Sequence, residues 1–310
     1  MQKYSYMYLA IKNMGLALIS FLFVTACDNS KTTLYHPQYG KTVIKEQSTH
    51  YIFGIHPLHN PQRLHKVFGP VAALLSEKIE GADFEIEASR NYAAFDEKLY
   101  AGKFAFALPN PYQTVLSLKH GYHVFGKMGD DENFRGIILV RKDSNINEVA
   151  DLKGKSVSFP APTALAATMM PQYFLYENGL TVTTDIHINY VGSQESSIMN
   201  VFLGNVVAGA TWPPPWRALS KARPQLQKEL EVKWATESLP NNGLVARDDV
   251  PPEIVAQVAQ ILFDLHKSEF GRDILERMEL SKFEAATDTT FVPVHGFLEK
   301  FDLNVRSIER

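Results

Sequence analysis

Tyr51-Ile52-Phe53-Gly54-Ile55-His56-Pro57 is an apolar run of strand length, closed by a histidine and a proline. It reads as a buried β-strand running into a loop. The period then changes. Leu64, Val67, Phe68, Val71, Leu74, Leu75 and Ile79 recur at spacings of three and four, which predicts an amphipathic helix, and Gly81 ends it. Phe84-Glu85-Ile86-Glu87-Ala88 alternates as a strand does, and a helix follows near residues 92–101, stopped by Gly102. Phe104-Ala105-Phe106-Ala107-Leu108 is a buried-type strand, broken by Pro109-Asn110-Pro111, and another helix runs to Gly121. Strand–helix alternation of this kind predicts an α/β fold with a largely parallel sheet.

The same alternation restarts further on. Strands are predicted at residues 136–141, 156–159, 186–191 and 206–210, with helices near 165–178 and 196–203 and a charged helix over about 216–230. Leu239-Pro240-Asn241-Asn242-Gly243-Leu244-Val245-Ala246 reads as a crossover. A helix opens after Pro251-Pro252, where a proline in the first turn loses no hydrogen bond. Two βαβ assemblies with a late return predict two hinged lobes around a central cleft. Residues 50–138 with 243–310 form lobe 1 on this reading, and 139–242 form lobe 2.

The N-terminus carries a different message. Lys3 and Lys12 precede an apolar run over residues 14–24, followed by Thr25, Ala26 and the single cysteine, Cys27. This is the layout of a secretory signal. The run is too short to span a bilayer, which takes about 20 residues. Val24-Thr25-Ala26-Cys27 resembles a bacterial lipobox, in which cleavage precedes a cysteine that is then diacylated. Residues 1–26 are thus expected to be a signal peptide, Cys27 the lipidation site and 27–49 a flexible polar tether. Asp28 resembles an inner-membrane retention signal, so the expected location is the periplasmic side of a bacterial inner membrane. The competing reading of a lone cysteine is a small buried hydrophobe. With Cys27 acylated, no thiol is left for a disulfide or a metal. The net charge of −3 gives no basic field to hold nucleic acid.

Several segments together resemble a known family. They are Phe53-Gly54-Ile55-His56-Pro57, then Asn91-Tyr92-Ala93, then Ile138-Leu139-Val140-Arg141-Lys142-Asp143-Ser144, then Asp151-Leu152-Lys153-Gly154-Lys155 before a strand and a proline-rich turn. In that order, over about residues 51–300, the chain resembles periplasmic substrate-binding proteins of ABC transporters, of the phosphate/phosphite/phosphonate type. The resemblance implies a periplasmic-binding-protein fold of type II, closing over a small solute and docking on a permease of the inner membrane. It implies a monomer without a cofactor. Members of the family hold the anionic head of the ligand with a Ser-Thr-Ser-Gly stretch at a helix N-terminus. Here the corresponding stretch is Ala164-Leu165-Ala166-Ala167, without the three hydroxyls, and a family histidine is replaced near Ser193. The expectation is therefore a ligand that is not bound in the family's manner.

Ligands in such folds meet the loops at the carboxyl ends of the strands. Those loops bring forward His56, Tyr92, Asn110, Tyr112, Arg135, Thr163, Ser193, Gln194, Glu195, Trp212 and Trp216 as candidate ligand-binding residues. The set is aromatic and amide-rich, with Arg135 as its one cation, and suits a small solute that is anionic or carries an aromatic or amine group. Trp212 and Trp216 are candidates to stack on a ring or cage an ammonium, and Glu195 to pair a cation. His56, His59 and His65 lack the carboxylate partners that a four-ligand metal site needs, so no metal is expected. Gly121-Tyr122-His123-Val124-Phe125-Gly126-Lys127 mimics a phosphate loop, but Met128 stands where a hydroxyl must be. No catalytic motif stands out. A binding lipoprotein of an importer is the leading expectation. The alternatives are a ligand-sensing lipoprotein serving a membrane signalling partner, and an exported enzyme.

Overall fold

A computed structural model describes residues 48–308. The expected signal peptide, Cys27 and nearly all of the segment 27–49 lie outside the described residues. Among the described residues, no helix is long and apolar enough to cross a membrane.

The first elements follow the hydrophobic periods. β1 (Thr49–Ile55) leads to α1 (Pro61–Lys78). Asn60 caps α1, its side chain accepting the Arg63 N–H at 3.0 Å, and Pro61 fills the first position. Next come β2 (Ala82–Ala88), α2 (Tyr92–Tyr100), β3 (Phe106–Leu108), α3 (Pro111–Ser117) and β4 (Tyr122–Met128). The second set is β5 (Arg135–Arg141), β6 (Ser156–Phe159), α4 (Met170–Glu177), β7 (His187–Tyr190), α5 (Gln194–Phe202), β8 (Ala208–Thr211), α6 (Pro213–Ala222) and β9 (Leu230–Ser238). The chain then returns through β10 (Gly243–Arg247), α7 (Pro252–Asp264), β11 (Phe283–Ala285) and α8 (Val292–Asn304).

The strands form two sheets, ordered β11-β4-β10-β3-β1-β2 and β7-β6-β8-β5-β9. Parallel pairs join β1 to β2 and β3, and β6 to β7 and β8. β10 runs antiparallel to β3 and β4, and β5 antiparallel to β8 and β9. Both sheets are thus mixed, where the alternation alone predicts a largely parallel one. The reversed strands have a physical origin. A helical crossover forces its two strands parallel, whereas β5 and β10 enter directly from the other sheet and are under no such constraint.

Two other expectations are corrected. The charged helix expected over 216–230 begins earlier, at Pro213, and ends at Ala222. Pro224, which has no N–H to continue it, separates it from a single turn, Gln225–Glu229. The next strand, β9, is an edge strand of half-exposed residues, so its alternation is too weak to read. The helix expected over 165–178 opens with a wide π turn, Leu165–Met169, before α4. Pro171 explains the widening, because it cannot donate to the carbonyl four residues back.

The chain passes between the sheets twice, at residues 129–134 and 239–242, and the two passages are bonded side by side. Asn241 Nδ2 donates to Gly129 O at 2.7 Å, Asn241 N to Asp131 Oδ1 at 2.9 Å, and Leu239 N to Phe134 O at 3.1 Å. Buried Lys127 locks the base of this pair, with Asp131 at 2.7 Å and Glu284 at 2.6 Å. A third tie comes from α8, where Phe297 meets Tyr173 of α4 edge-on at 5.5 Å.

The loop after β1 buries two imidazoles, His56 and His59. Burial lowers the pKa of His59 from 6.5 to about 3, helped by Arg63 and His56 nearby, and lowers that of His56 to about 4. Between 6.5 and those values the unfolded chain binds more protons than the folded one. Their contribution is therefore complete above pH 6.5 and is lost as the pH falls. Asp96, raised by burial from 3.8 to about 6, works in the opposite direction within that window, one group against two. The melting temperature is expected to fall from about pH 7 to about pH 5, and less steeply in His59→Gln. Parallel melting profiles for the two proteins would contradict this.

Candidate functional site

The carboxyl ends of the parallel strands from the two sheets face each other across one cavity. His56 reaches it after β1, Tyr92 as the first residue of α2 and Asn110 as the cap of α3. Asn242, just before β10, completes that side. Opposite lie Ala164-Leu165-Ala166-Ala167, Gln194 as the first residue of α5, Trp212 as the cap of α6, and Phe134 before β5. The cavity is small, about 10 Å³, or space for about one water. Direct bonds between the two sides hold it shut. Asn110 Nδ2 donates to Thr163 O at 3.0 Å and Gln194 Nε2 to the Tyr92 hydroxyl oxygen at 3.3 Å. Further out, Asn60 Nδ2 donates to Glu195 Oε1 at 3.2 Å.

The helices that reach the cavity do so with their N-terminal ends, which carry unpaired N–H groups and the positive pole of the dipole. Among the described residues, no lysine or arginine lines it. After β6, the N–H groups of Thr168 and Met169 both turn back to Ala164 O, at 2.8 and 3.2 Å. Those of Leu165, Ala166 and Ala167, one turn earlier, have no acceptor among the described residues. Gly136 lets this turn sit down on β5. A Cβ there would stand 2.6 Å from Ala166 O and 2.6 Å from the Pro171 ring.

The side chains are held in defined roles. Thr211 Oγ1 donates to Gln194 Oε1 at 2.9 Å, which turns the Gln194 amide so that its nitrogen reaches Tyr92. Burial pushes the Tyr92 phenol well above its ordinary pKa, so it stays protonated and can donate. Trp212 packs edge-on against Phe134 at 5.5 Å. His56 Nδ1 donates to Leu108 O at 2.8 Å, and burial keeps the ring neutral, with a pKa of about 4. Asn242 Nδ2 points at Met128 Sδ, 3.2 Å away, and its Oδ1 is buried without a partner among the described residues.

A second cavity, of about 380 Å³, lies on another side of Tyr92. Asp96, Tyr100, Tyr112, Thr163 and Tyr190 are among the residues around it. Asp96 accepts from Gln113 Nε2 at 2.5 Å and from Thr163 Oγ1 at 3.5 Å, and burial raises its pKa to about 6.

Of the candidates from the sequence, His56, Tyr92, Asn110, Gln194 and Trp212 come together around the first cavity. The others sit elsewhere. Tyr112 and Thr163 border the second cavity. Ser193 caps α5, accepting the Ser196 N–H at 3.0 Å. Glu195 takes Asn60 outside the cavity, and Trp216 packs against the core that contains Ile137, Leu139 and Ile198. Arg135, the expected cation, donates through Nε to Glu132 O at 2.6 Å and does not line the cavity. Asn242 and Phe134 are not among the candidates from the sequence. They lie on the two passages between sheets, and only the long-range return of the chain brings them to the site. Among the described residues no group of three or more His, Cys, Asp or Glu is placed to hold a metal.

Comparison with known proteins agrees with this geometry. Residues 53–291 match the family model for the periplasmic substrate-binding protein of phosphonate ABC transporters. The phosphonates-binding periplasmic protein of Escherichia coli is 23% identical over 162 residues, covering 51% of this chain and 48% of that protein. A phosphate-import protein of Mycolicibacterium smegmatis is 23% identical over 214 residues, covering 64% of this chain and 66% of that protein. The chain thus spans about half to two thirds of the length of these curated relatives. Among solved structures, the binding-protein component of a phosphonate transporter from Pseudomonas aeruginosa aligns with a TM-score of 0.76 at 17% identity, over 82% of this chain and 87% of that one. PhnD1 of Prochlorococcus marinus, solved with methylphosphonate, aligns with a TM-score of 0.74 at 20% identity, over 82% of this chain and 98% of that one. The likeness to these structures shows the shared two-lobed α/β fold. The family model covers well over half of the sequence, and the chain belongs to the periplasmic substrate-binding proteins of phosphonate ABC transporters.

Proposed function

We propose that this protein captures a small oxyanion of the phosphonate or phosphate class between its lobes and presents it to an ABC permease. The observation that carries the reading is the convergence of helix N-termini on one cavity, with the N–H groups of Leu165, Ala166 and Ala167 unpaired among the described residues. Such an end is a ready anion site, and each dipole contributes about 0.3–1 kcal/mol near the surface and more when buried. The missing hydroxyls at Ala164, Leu165 and Ala166 mean that backbone N–H groups, Tyr92 and Trp212 carry the recognition instead. A cavity of about 10 Å³ is too small for any such anion, so the lobes must part to admit it. The Asn110–Thr163 and Gln194–Tyr92 bonds break on opening. Ligand then stabilises closure by bridging the same elements.

A second reading, an amine-bearing solute, rests on Asp96. This partly buried carboxylate accepts from the neutral Gln113 and Thr163 and borders a tyrosine-rich cavity that shares Tyr92 with the first. Phosphonate, phosphate, phosphite and simple amines should be titrated calorimetrically into the mature protein. The expected result is binding of at least one tetrahedral oxyanion, weakened about tenfold or more in Trp212→Ala without a change of fold. Binding of amines alone would favour the second reading.

For the anchor, we propose diacylation of Cys27 and attachment to the periplasmic face of the inner membrane, close to the permease. Cys27→Ser is expected to move the protein from the membrane to the soluble fraction of fractionated cells. Retention in the membrane would contradict the anchor.

A further inference from the structure

The cavity wall is chemically two-sided. The side built on β6 and β8 offers donors: the N–H groups of Leu165, Ala166 and Ala167 and the indole N–H of Trp212. The side built on β1 and β10 adds two acceptors to the Tyr92 hydroxyl. The Leu108 carbonyl can only accept, so His56 must carry its proton on Nδ1, and Nε2 is left with a lone pair. The Met128 thioether has no proton to give, so Asn242 must turn its NH₂ toward the sulfur and its Oδ1 away. Asn242 is 0% exposed and lines the cavity, and its Oδ1 has no partner among the described residues. A native structure seldom leaves a buried acceptor unpaired unless a ligand or water completes it.

We propose that the site selects a tetrahedral oxyanion that keeps one acidic proton, whose O–H is donated to the acceptor side formed by Asn242 Oδ1 and His56 Nε2. The inference rests on the oxyanion reading of the site and sharpens it. The unprotonated oxygens of such a monoanion take the backbone N–H groups, and its single O–H faces the acceptors. An anion without a proton sets its lone pairs against those of Asn242 and His56. A site built to bond a ligand hydroxyl rejects the analogue that lacks one, because its own polar groups are then left unpaired.

Methylphosphonate and methanesulfonate separate these cases. They share size, shape and, in mildly acidic buffer, a single negative charge, but only methylphosphonate has an O–H. Calorimetric titration of the mature protein is expected to give at least about tenfold tighter binding of methylphosphonate. Asn242→Leu, which keeps the volume and removes the acceptor, is expected to narrow that ratio through weaker binding of methylphosphonate. Equal affinities in the wild type, tighter methanesulfonate, or an unchanged ratio in Asn242→Leu would overturn the inference and leave the oxyanion site standing. Binding of neither anion would overturn both. If Asn242→Leu does not fold, the wild-type ratio decides alone.

Discussion

The arrangement depends on two short stretches of backbone crossing from one sheet to the other side by side. Residues 129–134 and 239–242 are stitched together by both the side chain and the backbone N–H of Asn241, and buried Lys127 sits at their base between two carboxylates. A buried cation is tolerable only when it is paired, and its removal would leave Asp131 and Glu284 facing each other. Because both passages run through the same place, β5 enters one sheet and β10 the other against the direction of its neighbours, and β11 is also reversed beside β4. The carboxyl ends of the remaining parallel strands are thereby turned toward each other. The site is a consequence of that geometry.

Helix starts face the cavity where an anion site would otherwise place charged side chains. Among the described residues no lysine or arginine lines the cavity, yet it is walled by N-terminal turns whose first N–H groups have no helical partner. Local sequence makes this possible in the turn after β6. Pro171 widens it and Gly136 leaves room beneath it. The hydroxyls of the family stretch are absent, but the backbone donors they would supplement are in place. On the opposite side, the constraints on His56 and Asn242 fix acceptors where an anion site would ordinarily have only donors.

Much of this was legible in the sequence because it is local. The change of period after Ile55 and again after Ile79 places strand, helix and strand, and loops following strands supply His56, Tyr92, Asn110, Gln194 and Trp212. What was not legible is long-range. Asn242 lies in the stretch 239–246, which reads as a crossover, and becomes part of the wall only because β10 inserts between β3 and β4. Arg135 follows Phe134 in the same passage, but its side chain turns to Glu132 O instead of the cavity. Residue type proposed a cation there, and backbone direction removed it. Strand β9 escaped detection because half-exposed edge strands have little alternation.

The central claim is that a small oxyanion is held by the first turn after β6 across from Tyr92. A crystal structure of the mature protein grown with methylphosphonate tests it most directly. The account predicts phosphonate oxygens at hydrogen-bond distance, about 2.7–3.2 Å, from the backbone N–H groups of Ala166 and Ala167 and from the Tyr92 hydroxyl. A phosphonate bound in the cavity beside Asp96, or anywhere away from that turn, would contradict it.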